Sequence, residues 1–249
     1  MKPYKALIFD LFDTLVDFDR AQIPVVRVDG REIVSTAGET YKVFARHDDR
    51  LMFEAYYRLL GGIGKELTSA RETDYVEIPA RRRYEMLFER LGIPREAAEE
   101  QCVDAMLATH HHYMVKATVS PPERLQVVEA LKARYPLGIL SNFDSARTGL
   151  RILERHALRP HFNPIHISEA IRYRKPRAES FLQTAEAMEV APEDALFIGD
   201  TFALDVVGAK RVGMDAVWFD RHKKPPDLDA ARPDYVIGRL IDLLEILAS

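Results

Sequence analysis

Asp10, Thr14, Ser141, Lys175, Asp200 and Asp205 are the residues of this chain whose types and positions lend themselves to chemistry. Asp10 closes an apolar run, and a hydroxyl follows four residues later at Thr14. Asp200 closes a second apolar run behind Gly199, and Asp205 opens the helical pattern after it. Two carboxylates five residues apart across a strand-to-helix turn can converge on one cation, and Asp10 on a neighbouring strand would make a third. Unpaired carboxylates in one crevice repel. A hard divalent ion that prefers oxygen donors relieves that repulsion, and Mg²⁺ fits. Lys175 offsets acid charge and can hold an anionic intermediate, while Ser141 and Asn142 offer a hydroxyl and an amide to substrate oxygens. A carboxylate nucleophile, a cation, a lysine and neutral donors are the parts of a phosphoryl-transfer site.

These residues need a sheet to position them. Short runs rich in Ile, Leu, Val and Phe span 6–10, 137–141, 195–200 and 216–220, with weaker ones at 164–168 and 235–237. Such runs read as strands covered on both faces. Helical patterns at 123–134, 146–156, 178–188 and 203–212 separate them. Strands alternating with helices predict an α/β fold, a doubly wound parallel sheet whose ligands collect at the C-terminal strand ends.

Residues 18–116 interrupt this pattern and read as an inserted, mostly helical domain, leaving 1–17 and 117–249 as the core. Asp29-Gly30 between two apolar runs predicts a β-hairpin. Helical tracts follow, with breaks expected at 61–64 (Gly-Gly-Ile-Gly) and at 92–94 (Gly-Ile-Pro). His110-His111-His112 reads as part of a solvated helix, since adjacent helical residues point in different directions. Arg81-Arg82-Arg83 reads as a charged helix face, 221–224 (Arg-His-Lys-Lys) as a surface loop, and Cys102 as packed rather than nucleophilic.

The chain has 249 residues, 47% of them hydrophobic and 30% charged, with a net charge of −4. That composition suits a soluble globular protein and argues against bulk nucleic-acid binding. One cysteine excludes an internal disulfide. No signal-peptide pattern stands at the N-terminus, and no stretch of roughly 18 apolar residues is present to span a membrane. A cytoplasmic protein without membrane or nucleic-acid partners is expected, as monomer or homodimer.

The order D-x-x-x-T (Asp10 to Thr14), strand-end Ser141, Lys175, and Gly-Asp with a following acid (Gly199, Asp200, Asp205) resembles the haloacid dehalogenase superfamily. The insertion resembles that superfamily's first-type helical cap. The resemblance implies that Asp10 attacks phosphorus and becomes an aspartyl-phosphate. It implies that Thr14 and Ser141 hold phosphoryl oxygens and that Lys175 orients the nucleophile. Mg²⁺ would be held by Asp10, the backbone carbonyl of Phe12, Asp200 and Asp205. One departure matters. The family's phosphatases carry an acid two residues after the nucleophile, and here that residue is Phe12. A positioned acid/base contributes about 10² to 10⁴-fold in rate.

The expected activity is therefore Mg²⁺-dependent hydrolysis of a small phosphorylated metabolite. A metal-independent 2-haloacid dehalogenase is the alternative, because dehalogenases carry a non-acidic, usually aromatic residue at this point. It would need a cap arginine for the substrate carboxylate, with Arg20, Arg27 and Arg46 as candidates. A weakly catalytic binding protein is the alternative of another class.

Overall fold

The structure is a computed structural model that describes residues 2–94, 96–221 and 230–248. His222, Lys223 and Lys224, part of the basic run expected to form a loop, lie outside the described residues. The chain forms two compact units, Met1–Phe18 with Val119–Ser249, and Asp19–Thr118.

The first strand, β1 (Ala6–Phe9), is buried at every residue. Asp10 lies just beyond it. A tight turn then leads to β2 (Asp17–Phe18). Within that turn Asp13 N–H donates to Val16 O, and the N–H groups of Leu15 and Val16 donate to Leu11 O. Asp13 sits in the left-handed region with φ 59°, which aspartate tolerates better than most side chains.

The unit Asp19–Thr118 begins with β3 (Val25–Val28) and β4 (Arg31–Val34), an antiparallel hairpin closed by Asp29 and Gly30. Both turn residues have positive φ, 50° and 75°, as a two-residue primed turn requires. Four helices follow: α1 (Ala37–Phe44), α2 (Phe53–Asp74), α3 (Arg81–Arg90) and α4 (Ala97–Lys116). Phe44, Tyr56, Ile63, Leu87 and Met106 are fully buried in a core of this unit's own.

The expected break at 61–64 does not occur, because α2 runs straight through it. The reason is its buried stripe, Tyr56, Leu60, Ile63 and Leu67, which keeps helical spacing across the glycines. Each interior glycine costs roughly 0.5–1 kcal/mol relative to alanine, and continuous packing outweighs that. The break at 92–94 does occur, with Gly92 at φ 66° between α3 and α4. On α4, His110 Nδ1 lies 2.8 Å from Thr36 Oγ1. Cys102 is buried, and burial pushes its thiol up to about 11, so it is a poor nucleophile at neutral pH.

The core resumes through β5 (Thr118–Val119), α5 (Pro122–Lys132), β6 (Leu137–Ser141), α6 (Ala146–Arg155), β7 (Ile165–Ile167), α7 (Ser168–Ile171) and α8 (Ala178–Ala187). It ends with β8 (Ala195–Gly199), α9 (Val207–Arg211), β9 (Asp215–Phe219), β10 (Tyr235–Ile237) and α10 (Asp242–Ile246). Six strands form one parallel sheet in the order β10-β9-β8-β1-β6-β7. From β1 the chain builds outward through β6 and β7, then returns to the other side of β1 for β8, β9 and β10. Strand order reverses there, and the carboxyl ends of the central strands open a crevice. Asp10, Ser141 and Asp200 all lie at those ends. Among the described residues no helix is long and apolar enough to cross a membrane.

Candidate active site

The site grows from β1 and its two neighbours. Phe9 pairs with Ile139 on one side and Ile198 on the other. Asp10 N–H donates to Ile198 O at 2.8 Å, which locks the first residue after β1 against β8. The strand interior is apolar on both faces, so a carboxylate has to wait for the strand to end.

After β8 the backbone forms a π-helical turn, Phe202–Val206, that leads into α9. Such turns recur at functional sites. This one folds Asp205 back so that its Oδ2 accepts from Thr201 N–H at 2.8 Å. Asp205 is thereby 1% exposed. A Cβ on Gly199 would stand 2.4 Å from Asp205 Cγ, so only glycine permits this approach. Trp218 Nε1 donates to Asp200 O at 3.0 Å and fixes the strand end from β9.

Asp10, Asp200 and Asp205 each place an oxygen within 4.8 Å of the others. Lys175 joins two of them, with Nζ 2.5 Å from Asp10 Oδ1 and 2.6 Å from Asp205 Oδ1. All three members of that arrangement are buried. Burial pushes the Asp10 carboxyl up to about 7; Lys175 pulls against the shift, while Asp205 and Asp200 add to it. Asp200 rises to about 6, through burial first and then the charges of Asp205 and Asp13. Burial alone would depress Lys175, but Asp10 and Asp205 hold its pKa above the ordinary value. One lysine thus leaves the cluster short of positive charge. A set of hard oxygen donors in that condition fits Mg²⁺, and the backbone carbonyl of Phe12 stands on the same turn.

Two hydroxyls complete the polar floor. Thr14 Oγ1 and Ser141 Oγ are shut off from solvent and have no hydrogen-bond partner among the described residues. Buried hydroxyls without partners are rare; Thr14 lies four residues after Asp10, and Ser141 ends the strand next to β1. A cavity of about 210 Å³ opens here, lined by Asp10, Phe12, Asn142, Lys175, Asp200 and Asp205 among others.

The amide of Asn142, read from sequence as a donor to substrate, has another task. Its Nδ2 donates to Lys175 O at 2.9 Å, and its Oδ1 accepts from Lys175 N–H at 2.7 Å. Both ends of the side chain grip the main chain of Lys175, so Asn142 positions the lysine. Phe12 is half-buried, and its ring stacks on Phe18 at 5.0 Å and meets Phe143 at 4.8 Å between centroids. Three phenyl rings stand where an acid is expected.

Sequence reasoning passed over Asp17 and Arg124, and read Arg221 only as part of a surface loop. Arg124 donates to both carboxylate oxygens of Asp17 at 2.9 Å. From beyond β9, Arg221 donates to the same oxygens at 2.6 and 3.1 Å, and to Asp13 O at 3.0 Å. Arg221 is therefore tied to the turn that follows Asp10 and is not simply part of a surface loop. Positions this far apart in sequence leave no local pattern to read.

A family model described as haloacid dehalogenase-like hydrolase matches residues 4–213. A glyceraldehyde 3-phosphate phosphatase of Pyrococcus furiosus is 29% identical, over 99% of this chain and 94% of its own. A phosphoserine phosphatase of Thermus thermophilus is 30% identical, over 95% and 96%. Among solved structures, a 2-haloacid dehalogenase from Pseudomonas syringae pv. Tomato shares the fold at TM-score 0.76 and 24% identity, over 98% of both chains.

Proposed function

Since this chain belongs to the haloacid dehalogenase-like hydrolases, we propose that it removes phosphate from a small phosphorylated metabolite, using Asp10 as nucleophile and Mg²⁺ as cofactor. The observation that carries this reading is the pair of buried, unpartnered hydroxyls, Thr14 and Ser141, beside a carboxylate cluster that one lysine does not neutralise. An oxyanion with several oxygens and a divalent cation together meet both needs. Relatives at 29–30% identity named as phosphatases support it.

In this reading Lys175 occupies Asp10 Oδ1, so the other carboxylate oxygen attacks phosphorus. The new bond from Asp10 to phosphorus forms as the bond to the leaving oxygen breaks. Thr14 and Ser141 donate to the phosphoryl oxygens as charge builds on them. Lys175, oriented by Asn142, keeps Asp10 ionised and aligned. Water then cleaves the aspartyl-phosphate. Asp10, Asp200, Asp205 and the Phe12 carbonyl would hold Mg²⁺, which supplies charge stabilisation to the transferring group. Phe12 cannot protonate a leaving group, so the preferred substrates are those whose leaving oxygen is weakly basic.

A dehalogenase is the second reading, favoured by the aromatic wall of Phe12, Phe18 and Phe143. The arginines it would draw on, Arg20, Arg27 and Arg46, are all exposed.

The two readings separate by assay. Turnover of p-nitrophenyl phosphate and acetyl phosphate should depend on Mg²⁺, stop with EDTA, and vanish in Asp10→Asn. Halide release from 2-chloropropionate that persists in EDTA would replace the phosphatase with the dehalogenase.

A further inference from the structure

Arg83 differs from the other arginines of α3. Arg81 pairs with Glu85, Glu100 and Asp104, Arg82 with Glu85 and Glu89, and Arg90 with Glu66. Among the described residues Arg83 has no carboxylate partner, and its Nε is shut off from solvent without a hydrogen-bond acceptor. Arg83 is half-buried, and among the described residues its guanidinium makes no hydrogen bond or ion pair, so the N–H groups that reach the surface are free to donate to an acceptor from outside the chain.

Space for such an acceptor is present. A cavity of about 230 Å³ is lined by Arg83, Ser35, Tyr57, Leu60, Gly61 and Gly64, together with Ala37, and no acidic residue lines it. Its glycines are the ones that α2 carries through its middle. A Cβ at Gly61 or Gly64 would meet nothing within 4 Å. Packing therefore does not demand glycine, and helix propensity disfavours it. The two glycines leave backbone, and no side chain, on that wall of the cavity.

We propose that this cavity, built wholly from Asp19–Thr118 and sharing no residue with the Asp10 cluster, binds a small oxyanion, a carboxylate or a phosphate. The guanidinium fork takes the anion's oxygens. The hydroxyls of Ser35 and Tyr57 add polar contacts, and Ala37 and Leu60 pack against its apolar part. The site is independent of the reaction assigned to Asp10.

The test uses the full-length protein in EDTA. The Arg83 Nε–Hε proton resonance, assigned by its loss in Arg83→Lys, is followed during titration with acetate, and separately with inorganic phosphate, at constant ionic strength. A saturable shift is expected, and the anion that produces it identifies the headgroup. Arg83→Ala should weaken binding about ten- to hundredfold, the effect of losing charge-assisted hydrogen bonds; in that variant binding is read from the backbone amides of Gly61 and Gly64. Gly61→Ala and Gly64→Ala should raise the melting temperature, because alanine favours helix, and leave binding within about threefold, because each methyl enters open space. Asp10→Asn should leave the shift intact. Shifts that grow linearly with either anion, or binding in Arg83→Ala equal to wild type, would overturn the proposal.

Discussion

Asp10→Asn should alter the energetics of the fold as well as abolish attack. Asp10 is 6% exposed, and its carboxyl is pushed from the ordinary 3.8 up to about 7, chiefly by burial. That is about three pH units, each worth ~1.4 kcal/mol. Ionising Asp10 in the metal-free native state thus costs up to about 4 kcal/mol more than in the unfolded chain. Between these pH values the native state keeps a proton that the unfolded chain has released. Its contribution is fully present below about pH 4, fades as pH rises through about 7, and is gone above. Asparagine has no such proton. Measured by urea unfolding in EDTA, the stability of Asp10→Asn relative to wild type should climb from about pH 4 to about pH 8, by as much as ~4 kcal/mol. Added Mg²⁺ should stabilise wild type most at the alkaline end, where its carboxylate ligands are free of protons. A difference that stays flat with pH, or falls, would refute the claim that burial dominates at Asp10.

Lys175→Met should destabilise the metal-free protein by about 3–5 kcal/mol at neutral pH, because it strands two buried carboxylates; unfolding at lower pH should show a smaller loss. Gly199→Ala forces a methyl into the Asp205 carboxylate, and calorimetric titration should show weakened Mg²⁺ binding alongside roughly 1–3 kcal/mol of lost stability. Phe12→Asp should raise kcat on alkyl phosphates by up to about 10²-fold while changing acetyl phosphate turnover little, since only the poor leaving group needs a proton.

Much of the core was legible because parallel strands covered on both faces must be apolar throughout, and β1, β6 and β8 are buried at every residue. The acids at their ends stood out against that background. Helix α2 misled because glycine punctuates by local rule, whereas the stripe Tyr56, Leu60, Ile63 and Leu67 acts over the whole element. The grip of Asn142 on Lys175 was not legible, because asparagine suits a substrate as well as it suits a neighbouring backbone, and only the fold brings Lys175 beside it. The grip of Arg124 and Arg221 on Asp17 spans 107 and 204 positions, which no periodicity encodes.

Asp17 is nearly the last core residue before the chain departs into Asp19–Thr118. Two guanidinium groups hold it from opposite ends of the core sequence, and one of them also takes the carbonyl of Asp13. The segment carrying Asp10 and Thr14 is therefore moored before the insertion begins. The turn after Asp10 is thus tied to two core positions that the chain reaches only after the insertion.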